Sequence, residues 1–167
     1  YKLVTGVQTC ALPILTECFE TGVAEFIKLL SQGTNEEITH SILYAVRKSP
    51  KNKQDLKNDF VNISKFIFWK NAQRKISPLK DILALLFLIR VVIKEGPDVV
   101  HLHSSKAGFL GRIGCFFTFT KAIYTPHGAS FLIKSNKKIL IFFYKLLEKL
   151  AYMFGGVIVC VSESERN

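Results

Sequence analysis

Two strand-length apolar runs, each closed by a tight polar turn, constrain this chain more than any other feature. In GPDVVHLHSSKAGFLGR (residues 96–112), Pro97 and Asp98 end one element and Val99 to His103 is a short apolar run with β-branched residues. Ser104 or Ser105 can cap a helix beginning near Lys106, which makes the unit strand, turn, helix. A second run, Ala122 to Thr125, ends in Pro126, His127 and Gly128. In an open α/β sheet such turns lie at the carboxyl ends of the strands, where ligands bind. Helix-start N–H groups, two hydroxyls and Lys106 are expected to converge there, a set suited to an anion or to sugar hydroxyls. His127 would stand beside them, so that two neighbouring strand ends share one crevice.

The same alternation runs through the rest of the chain. Val23, Phe26, Ile27 and Leu30 recur at helical spacing and are expected to bury one face. His40 to Val46 and Val61 to Phe68 read as strands, separated by the Lys- and Asn-rich connection Arg47 to Asn58. Ser77 and Pro78 mark a helix start. The apolar stretch Asp81 to Lys94 contains Arg90 and falls short of the roughly 20 residues a bilayer requires, so a buried or interface-lying helix is expected. Lys137 to Phe154 reads as a long helix interrupted by Lys137, Lys138, Lys145 and Lys149. It either packs Leu146, Leu147 and Leu150 on the sheet with its lysines in water or lies on a membrane surface, and opposite faces can do both. Gly155 and Gly156 end it, Val157 to Val161 reads as a sixth strand, and a further turn begins at Ser162. Strands alternating with helices imply an α/β fold, a Rossmann-like, mostly parallel sheet with helices on both faces.

The net charge of +10 favours an anionic partner, either an anionic membrane surface or a phosphorylated substrate. Nucleic acid is not expected, because no RNA- or DNA-binding pattern is present and the aromatics sit in apolar runs instead of alternating with Lys and Arg. Cys10, Cys18, Cys115 and Cys160 are scattered without C-x-x-C or Cys/His spacing. They read as free thiols in a reducing cytoplasm.

Residues 4–14, VTGVQTCALPI, read as the translation of a sequencing-library adapter, so residues 1–14 are set aside as a non-native leader. They do not make a signal peptide, since the apolar stretch is short and broken by Pro13. The strings PDVVHLHSSKAGFLGR, YTPHG and VIVCVSESE, in this order and at these distances, resemble the N-terminal domain of family 4 glycosyltransferases. These are retaining enzymes with two Rossmann-like domains, the GT-B architecture. The resemblance covers residues 15–167 and implies the acceptor-side half of a GT-B enzyme, truncated at both ends. The C-terminal half, with its Glu-x7-Glu motif and the basic groups that hold the diphosphate, is not in this stretch. The isolated chain is therefore expected to be inactive. The resemblance further implies a UDP- or GDP-linked sugar as co-substrate, no cofactor or metal, a lipid-linked or saccharide acceptor, and a cytoplasmic location, peripheral on the inner membrane face. The family's first strand turns through a Gly-rich loop, but here Glu20 and Thr21 stand where glycines are expected and only Gly22 remains. Gly22 is either a ligand contact or part of an ordinary strand-to-helix turn.

For the site, His127 is the candidate catalytic residue. Its imidazole sits on a stiff turn after Thr125 and Pro126, with Gly128 leaving room for a ligand. The resemblance implies that it contacts the transferred sugar near the reacting bond; a hydrogen-bonded loop histidine is the alternative. His101 and His103 share one strand face by the period of two. His103 is expected to line the crevice and His101 to lie in the core. A three-histidine metal site is not expected, because no carboxylate or Cys completes a shell. Ser104, Ser105 and Lys106 either bind acceptor hydroxyls or phosphate, or are a helix cap and a solvated lysine. No Ser-His-Asp order, P-loop or paired general-acid carboxylates appear. The resemblance implies catalysis by positioning and by stabilising charge on the departing diphosphate. Two other readings stay open: a sugar-nucleotide epimerase of the same architecture, and a non-catalytic α/β module on an anionic lipid surface.

Overall fold

A computed structural model describes residues 9–15, 22–34, 38–45, 60, 63–73, 75–127, 138–161 and 163. The strands are β1 (Thr9–Leu15), β2 (Ile38–Tyr44), β3 (Ile63–Phe68), β4 (Val99–His103), β5 (Lys121–Thr125) and β6 (Val157–Ile158). The helices are α1 (Gly22–Gly33), α2 (Pro78–Glu95), α3 (Ser105–Thr118) and α4 (Lys138–Tyr152). All pairings are parallel, in the order β3-β2-β1-β4-β5-β6.

Helices cover both faces, as the alternation predicts. Leu43 of β2 and Val100 and Leu102 of β4 face α2 and α3, packing with Leu88, Val92, Ala107 and Leu110. The intervening Ile42 and Tyr44 face the other way, onto Ile27 of α1, as a side-chain period of two requires. Trp69, just beyond β3, is fully buried and donates its indole N–H to Ala84 O of α2 at 2.9 Å. That bond ties the edge of the sheet to the helix layer.

Local chemistry sets the element ends. Pro78 occupies the first turn of α2, and Asp81 accepts the Ser77 backbone N–H at 3.0 Å, replacing the serine cap expected from sequence. Gly96 closes α2 with φ 56°, its N–H bonding Val92 O. Asp98 then joins the starts of β1 and β4: its N–H donates to Cys10 O, and its carboxylate accepts the Cys10 N–H at 2.8 Å.

β1 lies mostly within the residues set aside as a leader. In the fold it is central, flanked by β2 and β4, and Leu12 is fully buried. Pro13 has no N–H to give, yet β1 keeps one register on β2, with Ala11 opposite His40 and Ile14 opposite Leu43. Of the leucines that would pack on the sheet if α4 were a core helix, Leu146 and Leu150 are each 42% exposed, while Ala151 is buried and Glu148 turns to α3. The connection Arg47 to Asn58 lies outside the described residues. Among those described, no helix is long and apolar enough to cross a membrane.

Candidate functional site

The parallel register of β4 on β5 pairs His101 with Ile123 and His103 with Thr125, so both strands end at the same level. Two residues beyond β5, His127 adopts φ 51°, a left-handed conformation uncommon for a non-glycine residue. The turn brings its ring back over the end of β4. His103 Nδ1 and His127 Nε2 lie 2.9 Å apart, and His101 Nε2 is 2.9 Å from the Thr125 hydroxyl. The His101 and His103 ring centroids lie 4.0 Å apart, with the rings tilted 38° to each other. Phe26 of α1 lies against all three imidazoles, its centroid 5.0 Å from His127, 5.7 Å from His103 and 6.3 Å from His101. The two strand ends therefore meet at one place, and helix α1 roofs it.

Burial sets the charge of this cluster. His103 is 0% exposed, and its Nε2 has no hydrogen-bond partner among the described residues. Burial above all, then the neighbouring His101 and His127, holds its pKa down to about 2. His101 is brought down to about 4 by burial first and the nearby His127 and His40 second. Both rings are neutral at pH 7. This reverses the order expected from sequence: His103 lies inside, beneath His127, and His101 is the half-buried one. The reason is that α1 and the β5 turn cover the strand end, which no β4 spacing can reveal.

The anion-binding set also changes. Lys106 does not join the histidines; its ammonium donates to Asp81 Oδ1 at 2.8 Å and to the Lys75 carbonyl, so it fastens the start of α3 to that of α2. Ser104 occupies the N-cap position with φ 82°, but its hydroxyl makes no capping bond. Ser105 bonds Tyr124. Gly22 begins α1 with nothing within 4 Å of where a Cβ would stand, and the loop before it and Gly128 are outside the described residues. What remains at the strand ends is an array of three imidazoles, those of His101 and His103 kept uncharged by burial, against an aromatic edge. Such an array matches hydroxyls and ring faces better than isolated charge.

Behind Ser105 lies a network that sequence reasoning missed. Arg112 is 1% exposed; it donates to Gly108 O at 3.0 Å and to Glu148 at 2.6 Å, and stands 4.7 Å from the Tyr124 ring centroid. Tyr124 donates to the other Glu148 oxygen at 3.0 Å, and burial, followed by Glu148, raises its pKa. Phe26 likewise reads from sequence only as core, since its helical spacing marks any buried face. No signal in a single sequence separates these roles.

Cys10, Cys115 and Cys160 are unbridged, and burial pushes the Cys115 thiol up to about 12. Among the described residues no group of three or more His, Cys, Asp or Glu is arranged to hold a metal ion. A groove of about 470 Å³ lined by Cys115, Phe119, Lys121 and Phe154 opens at the amino end of β5, the rim opposite His127, and is separate from the site.

Comparison with known proteins bears on the same stretch. A family model described as Glycosyltransferase Family 4 matches residues 21–167. The UDP-Gal:alpha-D-GlcNAc-diphosphoundecaprenol alpha-1,3-galactosyltransferase of Escherichia coli is 34% identical over 94 residues, 56% of this chain and 24% of that protein. The capsular polysaccharide biosynthesis glycosyltransferase CapM of Staphylococcus aureus is 33% identical over 93 residues, 55% of this chain and 24% of that protein. These matches span about a quarter of the length of each relative. Among solved structures, the UDP-GlcNAc 2-epimerase of Methanocaldococcus jannaschii superposes with a TM-score of 0.59 at 14% identity, covering 93% of this chain and 40% of that one. At that identity the likeness is one of fold.

Proposed function

Because the chain belongs to glycosyltransferase family 4, we propose that it is the acceptor-side domain of a retaining enzyme that moves a sugar from a nucleotide donor to a lipid-linked or polysaccharide acceptor. The Escherichia coli relative is named for UDP-Gal as donor and a diphosphoundecaprenol as acceptor carrier, which is the chemistry we carry over as a class. The observation that carries the reading is the placement of His127, held against His103 across adjoining strand ends and under Phe26. An imidazole so placed is suited to hydrogen-bond a hexose, while catalysis rests on orientation and on stabilising the leaving diphosphate, whose binding groups belong to the other domain.

A membrane-bound acceptor requires a surface that approaches lipid. Lys106 and Asp81 bring the first turns of α2 to the rim of the site, and there Leu79, Ile82, Leu83 and Leu86 are exposed beside Lys75 and Lys80. An apolar stripe rimmed by lysines fits the surface of an anionic bilayer. On this reading the enzyme works at the cytoplasmic membrane face, and the lysines of α4 add charge attraction.

The test is transfer of labelled sugar by the full-length protein to an undecaprenyl-diphosphate-linked acceptor. Transfer is expected with the wild type, to be lost with His127→Ala, and to be absent for the isolated chain. Transfer by the isolated chain would overturn the division of labour between domains. Conversion of a UDP-sugar to its epimer without acceptor would favour an epimerase. Vesicle binding by a wild-type full-length protein that transfers no sugar would favour a non-catalytic surface module.

A further inference from the structure

We propose that His103 is a positioning residue that sets the tautomer of His127, donating its Nδ1–H to His127 Nε2 and thereby leaving Nδ1 as the nitrogen of His127 that carries its proton. The inference rests on the reading of His127 as the sugar-contacting group and deepens it.

The 2.9 Å contact between His103 Nδ1 and His127 Nε2 can carry one proton in either direction. If His127 donates, His103 accepts on Nδ1, and the neutral ring must hold its own proton on Nε2. That nitrogen is buried and has no partner among the described residues, so a strong donor would be stranded. A buried donor left unmet forfeits its hydration with nothing in return. If His103 donates instead, its Nε2 is a bare acceptor in a pocket of aromatic rings, the less costly thing to bury. The intrinsic preference of free imidazole for Nε2–H opposes this assignment, but it is smaller than the loss of a donor's solvation. A doubly protonated His103 is excluded, because the ring sits inside the fold beside two other imidazoles.

The consequence is chemical. With Nε2 engaged by His103, His127 cannot use that nitrogen as a base, and any hydrogen bond it gives to a hydroxyl or ring oxygen of the sugar is given from Nδ1. His103 acts through His127 and touches no substrate. The same logic orients histidines in which the bond made by one ring nitrogen decides the state of the other.

Long-range ¹H–¹⁵N spectra of the full-length protein labelled at histidine read this directly, with the His127 signals assigned by their loss in His127→Ala. The wild type is expected to show His127 protonated on Nδ1 with a bare Nε2. In His103→Asn, whose amide can donate in the place of Nδ1–H, His127 is expected to keep that pattern. In His103→Phe it is expected to shift toward Nε2–H, with kcat for transfer falling on the order of 10-fold and KM for the donor little changed. A wild-type spectrum with His127 protonated on Nε2 overturns the proposal, whether or not either variant folds. Because the spectrum needs no turnover, absence of transfer would sink the sugar-transfer reading while leaving the tautomer assignment to be judged by itself.

Discussion

Arg112 shows what a single residue in this fold must satisfy. Its guanidinium is removed from water and depends on Glu148, the Gly108 carbonyl and the Tyr124 ring. Breaking a buried pair from one side costs about 3–5 kcal/mol, because the surviving charge has nowhere to go. The two sides are not equivalent here, since the Glu148 side chain is 23% exposed and the Arg112 side chain 1%. Glu148→Leu is therefore expected to destabilise more than Arg112→Met, and the double replacement less than Glu148→Leu alone. Urea unfolding of the four proteins checks the order. An equal loss in both single variants would show that water reaches the guanidinium.

Acid sensitivity is also set at single residues. In the folded chain His101 and His103 titrate at about 4 and about 2, whereas unfolded histidine titrates near ~6.5. Below the unfolded value the unfolded chain takes up protons that the folded chain refuses. Their contribution is thus fully present above ~pH 6.5 and is lost as the pH falls toward 4, by up to about 1.4 kcal/mol per pH unit for each histidine. His40, also lowered by burial, acts in the same direction. Unfolding midpoints are expected to be lower at pH 5 than at pH 7, and the difference smaller in His101→Phe. An unchanged difference in that variant would refute the assignment.

At the scale of elements, α3 is held by what it lacks. A Cβ on Gly108 would collide with Tyr124, one on Gly111 with Leu102, and one on Gly114 with Leu88. The three positions, spaced by three, let the helix backbone settle onto β4, β5 and α2. Gly111→Ala would gain about 1 kcal/mol of helix propensity but force a displacement costing about 1–3 kcal/mol. A net loss is expected in denaturant midpoints, against no loss for Gly22→Ala, where the added methyl meets open space. The boundaries of β4 agree with the sequence reading because Pro97 and Asp98 stop what precedes it and a serine follows it. For β1 the sequence was no guide: a strand containing proline, in a stretch set aside, occupies the middle of the sheet. Local propensity argues against that placement, and the need of β2 and β4 for an apolar partner overrides it.

Taken as a whole, the molecule combines a net charge of +10 with exposed apolar residues along α2 at the site rim. If that stripe meets lipid, Leu79→Glu with Ile82→Glu should abolish co-sedimentation with phosphatidylglycerol vesicles. Lys145→Gln with Lys149→Gln should weaken it only at low salt, where screening is slight. Binding unaffected by the α2 pair would move the contact elsewhere.

Local pattern was enough for the alternation of strands and helices, the face that His101 and His103 share, and the meeting of two turns at one end of the sheet. These follow from periodicity and from Pro, Gly and Ser at element ends, which act over a few residues. Long-range packing set the rest: His103 is buried and His101 half-buried, Lys106 is held by Asp81, α4 turns Glu148 inward, and Phe26 roofs the histidines. Each of these depends on a partner far along the chain, and burial is a property of what covers a side chain rather than of the side chain itself.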